Sequence, residues 1–338
     1  MAVPLLTHLH HLPPRLQSAL TLHLLHHVSS RQVLHRRKRK AENGVDPLIR
    51  LQKRARGQVC EGKPMPTIKG ATSPQDILLA AALKGDVSLA NAVYEATPAE
   101  QHAEITNHQD PVTGRTPLSL ACERGKLGMV RLLMTKGADV YLNDADTNIS
   151  PLMWASGCGH AGITAVLLAE GEADAFFPAT SGRTAAMEAA RGGHTACLEL
   201  LLEMGGIDVR QANDLDGTHP MLEAAAHGHL DALKVLMRTR GAKVNQTDKS
   251  GQTCLLLAAR NGDVRMLEVL LQAGAKSIPE FVHYHTPLHA AASNGHLPAC
   301  VTLIRAQGVA ATQALDRNGK TPADMTGLAH VRAACRVA

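Results

Sequence analysis

The sequence predicts a mainly α-helical solenoid, in which short helix pairs stack around one extended core. One residue pattern recurs from near Asp76 to the C-terminus, and six copies align on one anchor position with spacings of 34, 34, 35, 34 and 33 residues. The anchors are Thr116, Ser150, Thr184, His219, Thr253 and Thr286. A fixed period of this length is typical of supersecondary units that cannot bury their apolar faces alone.

The first half of each copy is predicted to be a short helix with a defined start and end. Thr116-Pro117 places a hydroxyl cap before a proline at the first helical position. Alanine follows five residues after the anchor, where a small side chain lets neighbouring helices pack closely. Glycine follows nine residues after the anchor and is expected to end the helix in a left-handed conformation. These glycines are Gly85, Gly125, Gly159, Gly193, Gly228, Gly262 and Gly295.

The second half of each copy predicts another helix. Apolar residues recur at helical spacing, as in Met129, Leu132 and Leu133. Leucine stands seventeen residues after each anchor, and a second glycine is expected to close the helix. Turn residues such as Asp216-Gly217 then lead to the next copy.

These strings resemble the ankyrin repeat over roughly residues 74–338. The signature strings are Thr-Pro-Leu-His-Ala-Ala-Ala-Ser-Asn-Gly-His at 286–296 and Thr-Pro-Leu-Ser-Leu-Ala-Cys-Glu-Arg-Gly at 116–125. The closing strings Leu-Leu-Met-Thr-Lys-Gly-Ala-Asp at 132–139 and Leu-Leu-Gln-Ala-Gly-Ala at 270–275 match as well. The copies at His219-Pro220-Met221 and Thr184-Ala185-Ala186 depart from Thr-Pro-Leu, so we expect them to be looser locally.

The resemblance implies a domain plan and a class of function. Residues 1–73 are predicted to be a disordered basic tail, and residues 74–338 an ankyrin-repeat domain. Within it we expect a divergent first repeat at 74–112, full repeats starting near 113, 147, 181, 216, 250 and 283, and a half repeat at 318–338. The family implies a curved stack of helix pairs with projecting hairpin fingers, which binds proteins on the fingers and the concave helix surface.

No catalytic, cofactor or metal site is predicted. The match to G-x-G-x-x-G at 157–162 spans the turn between two helices, whereas a dinucleotide site needs a strand before it. Repeated histidines such as His160 and His296 are interpreted as turn residues that bond to the backbone. The seven cysteines lack metal-ligand spacing, and those on helices should be small buried hydrophobes in a reducing compartment. No apolar run approaches the length of a membrane span, so we expect no membrane partner.

The tail carries the positive charge of the chain. Residues 1–70 hold 13 Lys and Arg against 3 Asp and Glu, and the remainder holds 22 against 27. Two basic clusters about a dozen residues apart resemble a bipartite nuclear localisation signal. They comprise Arg36, Arg37, Lys38, Arg39, Lys40, Lys53, Arg54 and Arg56. A solvated disordered tail and a mitochondrial presequence remain the alternatives, since no acid precedes Glu42. Seven early histidines, without acidic or cysteine ligands, are interpreted as disorder.

The rare aromatic residues give the candidate site, because most of them fall in fingers or their flanks. The five are Tyr141, Phe176, Phe177, Phe281 and Tyr284. Aromatic residues are over-represented among interface hot spots, and the alternative is that they pack against finger stems. Residues 143–149 and 280–285 lack a turn glycine. Asp144 and Asp146 in the first of these, together with Phe176 and Phe177, are hypothesised to receive a basic and apolar peptide. Trp154 is expected to be core.

The predicted function is a non-enzymatic protein–protein interaction module, acting as adaptor, inhibitor or co-regulator. Its preformed surface would lower the entropy cost of binding. One alternative is a nucleic-acid-associated factor that acts through the tail alone, and another is a mitochondrial scaffold. We expect an intracellular protein, nuclear or cytoplasmic rather than mitochondrial.

Overall fold

The computed structural model describes residues 73–277 and 286–336. All of these residues belong to one compact unit. The described residues form helices and no β-strand, which confirms the predicted helical class. The described residues do not include the tail with its two basic clusters. They also do not include Phe281 and Tyr284.

The helices alternate between a first and a second member of each pair. The first helices are α1 (Pro74–Lys84), α4 (Pro117–Glu123), α6 (Pro151–Gly157), α8 (Ala185–Gly192), α10 (Pro220–Ala226), α12 (Cys254–Asn261) and α14 (Pro287–Ser293). The second helices are α2 (Val87–Ala96), α5 (Leu127–Thr135), α7 (Ala161–Ala169), α9 (Thr195–Glu203), α11 (Leu230–Arg238), α13 (Val264–Gln272) and α15 (Leu297–Gln307). The remaining helices are α3 (His102–Thr106), the C-terminal α16 (Ala329–Arg336), and the 3₁₀ helices Ala99–Gln101, Val309–Gln313 and Pro322–Met325.

Each first helix packs against its own second helix and against the first helices of the adjoining repeats. The alanine five residues after each anchor is fully buried, so the short helices approach closely. The leucine seventeen residues after each anchor forms a second fully buried column, made of Leu133, Leu167, Leu201, Leu236, Leu270 and Leu303. The core is therefore a continuous stack, in which each repeat is stabilised by its neighbours.

The anchors cap the first helices through their side chains in four of the six aligned copies. Thr116 and Thr286 form capping boxes, and Ser150 and Thr253 each accept a bond from the backbone N–H three residues on. Thr184 and His219 make no such bond. The copies at Thr184 and His219, which were expected to be looser locally, are therefore the two that lack this side-chain cap.

The turn between the helices of a pair is closed by the histidine of the next repeat. Gly125 has φ +68°, and a Cβ placed there would meet the ring of His160. His160 Nε2 lies 3.0 Å from the carbonyl oxygen of Glu123, and His296 Nε2 lies 3.1 Å from that of Arg260. The interpretation of these two histidines as backbone-bonding turn residues is thereby confirmed. The G-x-G-x-x-G string spans one such turn, between α6 and α7.

The fingers are tight hairpin loops joined to one another by backbone bonds. Asp144 N donates to Ile149 O at 3.0 Å within one finger, and Ala145 N donates to Gly114 O at 3.0 Å in the preceding finger. Asn148 takes a positive φ of 55° in this finger, which lacks a glycine. Asparagine tolerates the left-handed region better than most residues do, so the turn forms without glycine.

Two details differ from the sequence expectation. The first repeat starts at the expected residue, but its helix α1 is capped by Ser73 rather than starting from the anchor-equivalent Asp76, and α1 is 11 residues long. Ser73-Pro74 supplies a cap and a first-turn proline one turn earlier than the anchor count indicated. After α7 the left-handed residue is Glu172, with φ 51°, and not Gly171. No helix among the described residues is long and apolar enough to cross a membrane.

Candidate functional site

A row of equivalent residues runs along the stems of successive fingers. The members, which we call the stem row, are Asn107, Tyr141, Phe176, Arg210 and Asn245, each eight or nine residues before the next anchor. In the three central members the backbone N–H donates to an aspartate two residues earlier. The acceptors are Asp139 at 2.8 Å, Asp174 at 2.8 Å and Asp208 at 2.9 Å. The backbone is thus held the same way in the three central repeats.

The two asparagines of the stem row bond to the following repeat. Asn107 Nδ2 donates to Gly137 O at 3.1 Å, and its Oδ1 accepts from Asp139 N at 2.8 Å. Asn245 repeats both bonds, with Gly274 O at 3.2 Å and Lys276 N at 2.8 Å. At both ends of the stem row the side chain therefore stabilises the contact with the following repeat.

Tyr141 and Phe176 instead present aromatic rings to solvent. Tyr141 is 46% exposed and Phe176 is 42% exposed. The Tyr141 hydroxyl donates to Glu172 O at 2.8 Å, which fixes the ring against the next repeat. Burial, and then the nearby carboxylates of Glu172, Asp174 and Asp139, raise the pKa of Tyr141. This part of the row is an apolar surface in a negative environment.

The other predicted site residues divide between surface and interior. Phe177 is partly buried and packs against the core. Asp146 is exposed at a fingertip. Asp144 is only 3% exposed, so its interpretation as a surface acid needs correction. The side chain of Asp144 points inwards, because it accepts a hydrogen bond from the buried indole of Trp154 and pairs with the guanidinium of Arg115.

Asp144 belongs to a buried network around Trp154. Trp154 Nε1 donates to Asp144 Oδ2 at 2.8 Å, and the Arg115 guanidinium lies 4.0 Å from the centre of the indole ring. Arg115 also lies 3.7 Å from Asp144 Oδ2 and donates to Glu123 at 2.6 Å. Burial raises the pKa of Asp144 to about 6, although Arg115 and Trp154 favour the carboxylate. Trp154 is buried, which confirms its predicted place in the core.

A second buried ion network joins two repeats. Arg183 contacts the carboxylate of Glu188 and lies 2.6 Å from Glu223 Oε1. His227 Nδ1 lies 3.7 Å from the other oxygen of Glu223. Sequence reasoning missed this network. The available signal was an arginine directly before an anchor and a glutamate four residues after the next two anchors, namely Arg183, Glu188 and Glu223.

His219 occupies an anchor position but does not cap its helix. The residue is 1% exposed, and neither ring nitrogen has a hydrogen bond of ordinary geometry among the described residues. Burial lowers the pKa of His219 to about 4, against the opposing influence of the Gln246 backbone, Asp248 and Glu223. The imidazole is therefore neutral in the folded protein at neutral pH.

We expect His219→Thr to reduce the acid sensitivity of folding. An unfolded histidine titrates near 6.5, so its protonation favours unfolding as the pH falls from 6.5 towards 4. Between pH 7 and pH 5 the native protein should lose about 2 kcal/mol more unfolding free energy than the variant. Asp144 has the opposite sign, since its raised pKa favours folding at low pH. The contribution of Asp144 is the same in both proteins and cancels when their unfolding free energies are compared.

Urea unfolding curves measured across this pH range would provide the test. If the unfolding free energies of the native protein and the variant changed in parallel with pH, the assignment of His219 as a buried neutral imidazole would be contradicted.

Comparison with known proteins identifies the repeat. A family model described as ankyrin repeats in three copies matches residues 77–176, 166–248, 206–280 and 223–314. The chain belongs to the ankyrin repeat family. This confirms the resemblance drawn from the signature strings, and ankyrin repeat domains generally mediate protein–protein interaction and are generally non-enzymatic.

Curated relatives share part of this ankyrin stack. Ankyrin repeat domain-containing protein 63 of Mus musculus is 40% identical over 91 residues, which cover 26% of this chain and 23% of the relative. Ankyrin repeat and KH domain-containing protein 1 of Homo sapiens is 40% identical over 97 residues, which cover 28% of this chain and 4% of the relative. The matched part is thus less than a quarter of either relative's length.

Solved ankyrin repeat domains align over a longer stretch. The ankyrin repeat domain of Bcl-3, titled a unique member of the IkappaB protein family, aligns with a TM-score of 0.55 and 26% identity. That match covers 66% of this chain and 99% of the other. The human ASB11 ankyrin repeat domain aligns with a TM-score of 0.58 and 25% identity, covering 66% of this chain and 97% of the other.

Proposed function

We propose that this ankyrin repeat chain is a non-enzymatic binding module that acts as an adaptor, inhibitor or co-regulator. The observation that supports the proposal is the exposure of Tyr141 and Phe176 on successive stems. At the equivalent positions Asn107 and Asn245 bond inwards to the next repeat. Two central repeats thus carry a half-exposed aromatic ring where the end repeats carry an asparagine.

The physical advantage of this surface is its rigidity. The backbones of Tyr141 and Phe176 are held by Asp139 and Asp174, and the Tyr141 hydroxyl is bonded to the next repeat. A partner that docks there orders little of this chain, so less of the contact energy is spent on side-chain and loop entropy. Large aromatic side chains that are already oriented are well suited to be interface hot spots.

Partner capture with matched variants tests this function. We expect partners retained by the intact chain to be lost from a Tyr141→Ala/Phe176→Ala variant. They should be kept by Val112→Ala/Leu215→Ala, which truncates two exposed apolar fingertip residues instead. Circular dichroism would establish that both variants keep the native helix content. An identical partner set for all three proteins would overturn the assignment of this surface.

The charge of the tail supports a second candidate, nucleic-acid association. Residues 1–70 contain 13 basic and 3 acidic residues. A chain that neutralises phosphates binds nucleic acid with steep salt dependence. Deleting residues 31–56 should then abolish binding to a generic DNA duplex. The same segment carries the proposed nuclear localisation signal, so its deletion should also move the protein from nucleus to cytoplasm. N-terminal cleavage on import would instead indicate the mitochondrial scaffold.

A further inference from the structure

We infer that the Tyr141–Phe176 face binds arginine side chains of an extended partner peptide. The inference rests on the proposed binding function and names the chemistry of the partner. The stem row already contains one arginine that pairs with the aspartate of its own repeat.

Arg210 is that internal example. It is the member of the stem row that follows Phe176, and it stands two residues after Asp208. Its Nη2 lies 2.8 Å from Asp208 Oδ2, and its Nε lies 2.9 Å from Asp208 Oδ1. The guanidinium thus makes a two-pronged contact with the aspartate that also holds the backbone. Geometry of this kind is specific to arginine on a carboxylate.

The two preceding members have the same aspartate without the arginine. Asp139 and Asp174 each accept the backbone N–H two residues on, as Asp208 does. Among the described residues, no Lys, Arg or His lies within ion-pair distance of Asp139, Asp174 or Glu172. Burial, and then these three carboxylates, raise the pKa of the Tyr141 hydroxyl.

The aromatic residues complete a receptor for the missing cation. Tyr141 and Phe176 each carry an aromatic ring at the position that Arg210 occupies in its own repeat, two residues after the aspartate. A guanidinium that contacts the carboxylate can also stack on a ring face, where the aromatic quadrupole attracts it. An anionic ligand such as a nucleic-acid phosphate would meet three carboxylates and be repelled. The surface therefore fits a basic peptide.

The repeat spacing fixes the spacing of the arginines. Second helices α5 and α7 pack side by side, and packed helices lie about 8–10 Å apart. A peptide in the extended polyproline II conformation advances about 3.1 Å per residue and returns its side chains to the same face at every third residue. Two arginines separated by two other residues would therefore reach the Tyr141 and Phe176 members together.

A synthetic peptide tests this directly. The probe is a fluorescent peptide with two arginines separated by two alanines, flanked by glycine and serine, and titrated with the full chain. We expect saturable binding that weakens about tenfold when both arginines become citrulline, which keeps the size and removes the charge. Asp139→Asn/Asp174→Asn should weaken binding by a similar factor, whereas Glu199→Gln/Glu203→Gln, on the exposed side of α9, should not change it.

The sharpest variant is Tyr141→Arg/Phe176→Arg, which lets the chain fill its own sites as it does at Arg210. We expect this variant to keep its helix content and lose the peptide. Its control is Leu215→Arg/Val301→Arg, which adds the same charge at exposed positions with no aspartate two residues before. Equal binding by the two arginine variants, or no binding of the probe by the intact chain, would overturn the inference. If captured partners still depend on Tyr141 and Phe176 in that case, the proposed function stands and only the arginine specificity falls.

Discussion

Arg183→Met is expected to lower the free energy of unfolding by about 3–5 kcal/mol. Arg183 is largely buried between the carboxylates of Glu188 and Glu223, which are themselves more than nine-tenths buried. Removing the guanidinium leaves two buried negative charges that face each other without a counter-ion. Because Glu188 lies on α8 and Glu223 on α10, the loss acts on the contact between two repeats.

Urea unfolding followed by circular dichroism measures this loss. The matched control is Arg210→Met, which breaks an exposed pair with Asp208 and should leave the free energy of unfolding nearly unchanged. A triple variant, Arg183→Met/Glu188→Gln/Glu223→Gln, should recover much of the stability, because its buried groups are no longer charged. Equal losses at Arg183 and Arg210 would show that the buried network is not a source of interface stability.

Leu201→Ala should cost about 2–5 kcal/mol of unfolding free energy. Leu201 is fully buried in the leucine column near the middle of the stack. Truncation removes apolar contacts and leaves a cavity that the neighbouring helices cannot fill, because they are fixed by repeats on both sides. In a solenoid the effect extends to the adjoining interfaces, since each repeat relies on its neighbours.

Leu215→Ala is the control for the leucine column. Leu215 is 52% exposed at a fingertip, so its truncation should change the unfolding free energy by no more than about 0.5 kcal/mol. Both variants would be compared with the native protein by urea unfolding. If Leu201→Ala lowered the unfolding free energy as little as Leu215→Ala does, the continuous core would be contradicted.

Features that depend on the repeat period could be predicted from the sequence. The buried leucine column, the left-handed glycine at the end of each first helix and the His160 contact all recur at fixed offsets from the anchor. Each follows from a local rule applied repeatedly. Ser73 was missed as the first cap because the divergent copy has a longer first helix, which shifts the start relative to the anchor count.

The sequence alone did not predict which side chain of a finger is buried and which is exposed. Phe176 and Phe177 are adjacent, and only the three-dimensional stem shows that the first is exposed and the second packs inwards. Asp144 looked like a surface acid because it sits in a polar turn string. Its burial depends on Trp154 and Arg115, which reach it from the first helix of its own repeat and from the preceding finger.

The most direct test of the central claim is the dissociation constant of one purified partner protein, measured by calorimetry. The partner would be titrated with the intact chain, with Tyr141→Ala/Phe176→Ala and with the fingertip control Val112→Ala/Leu215→Ala. We expect the first variant to bind at least about tenfold more weakly, while the control binds as the intact chain does. Equal dissociation constants for all three proteins would show that the Tyr141–Phe176 face does not bind the partner.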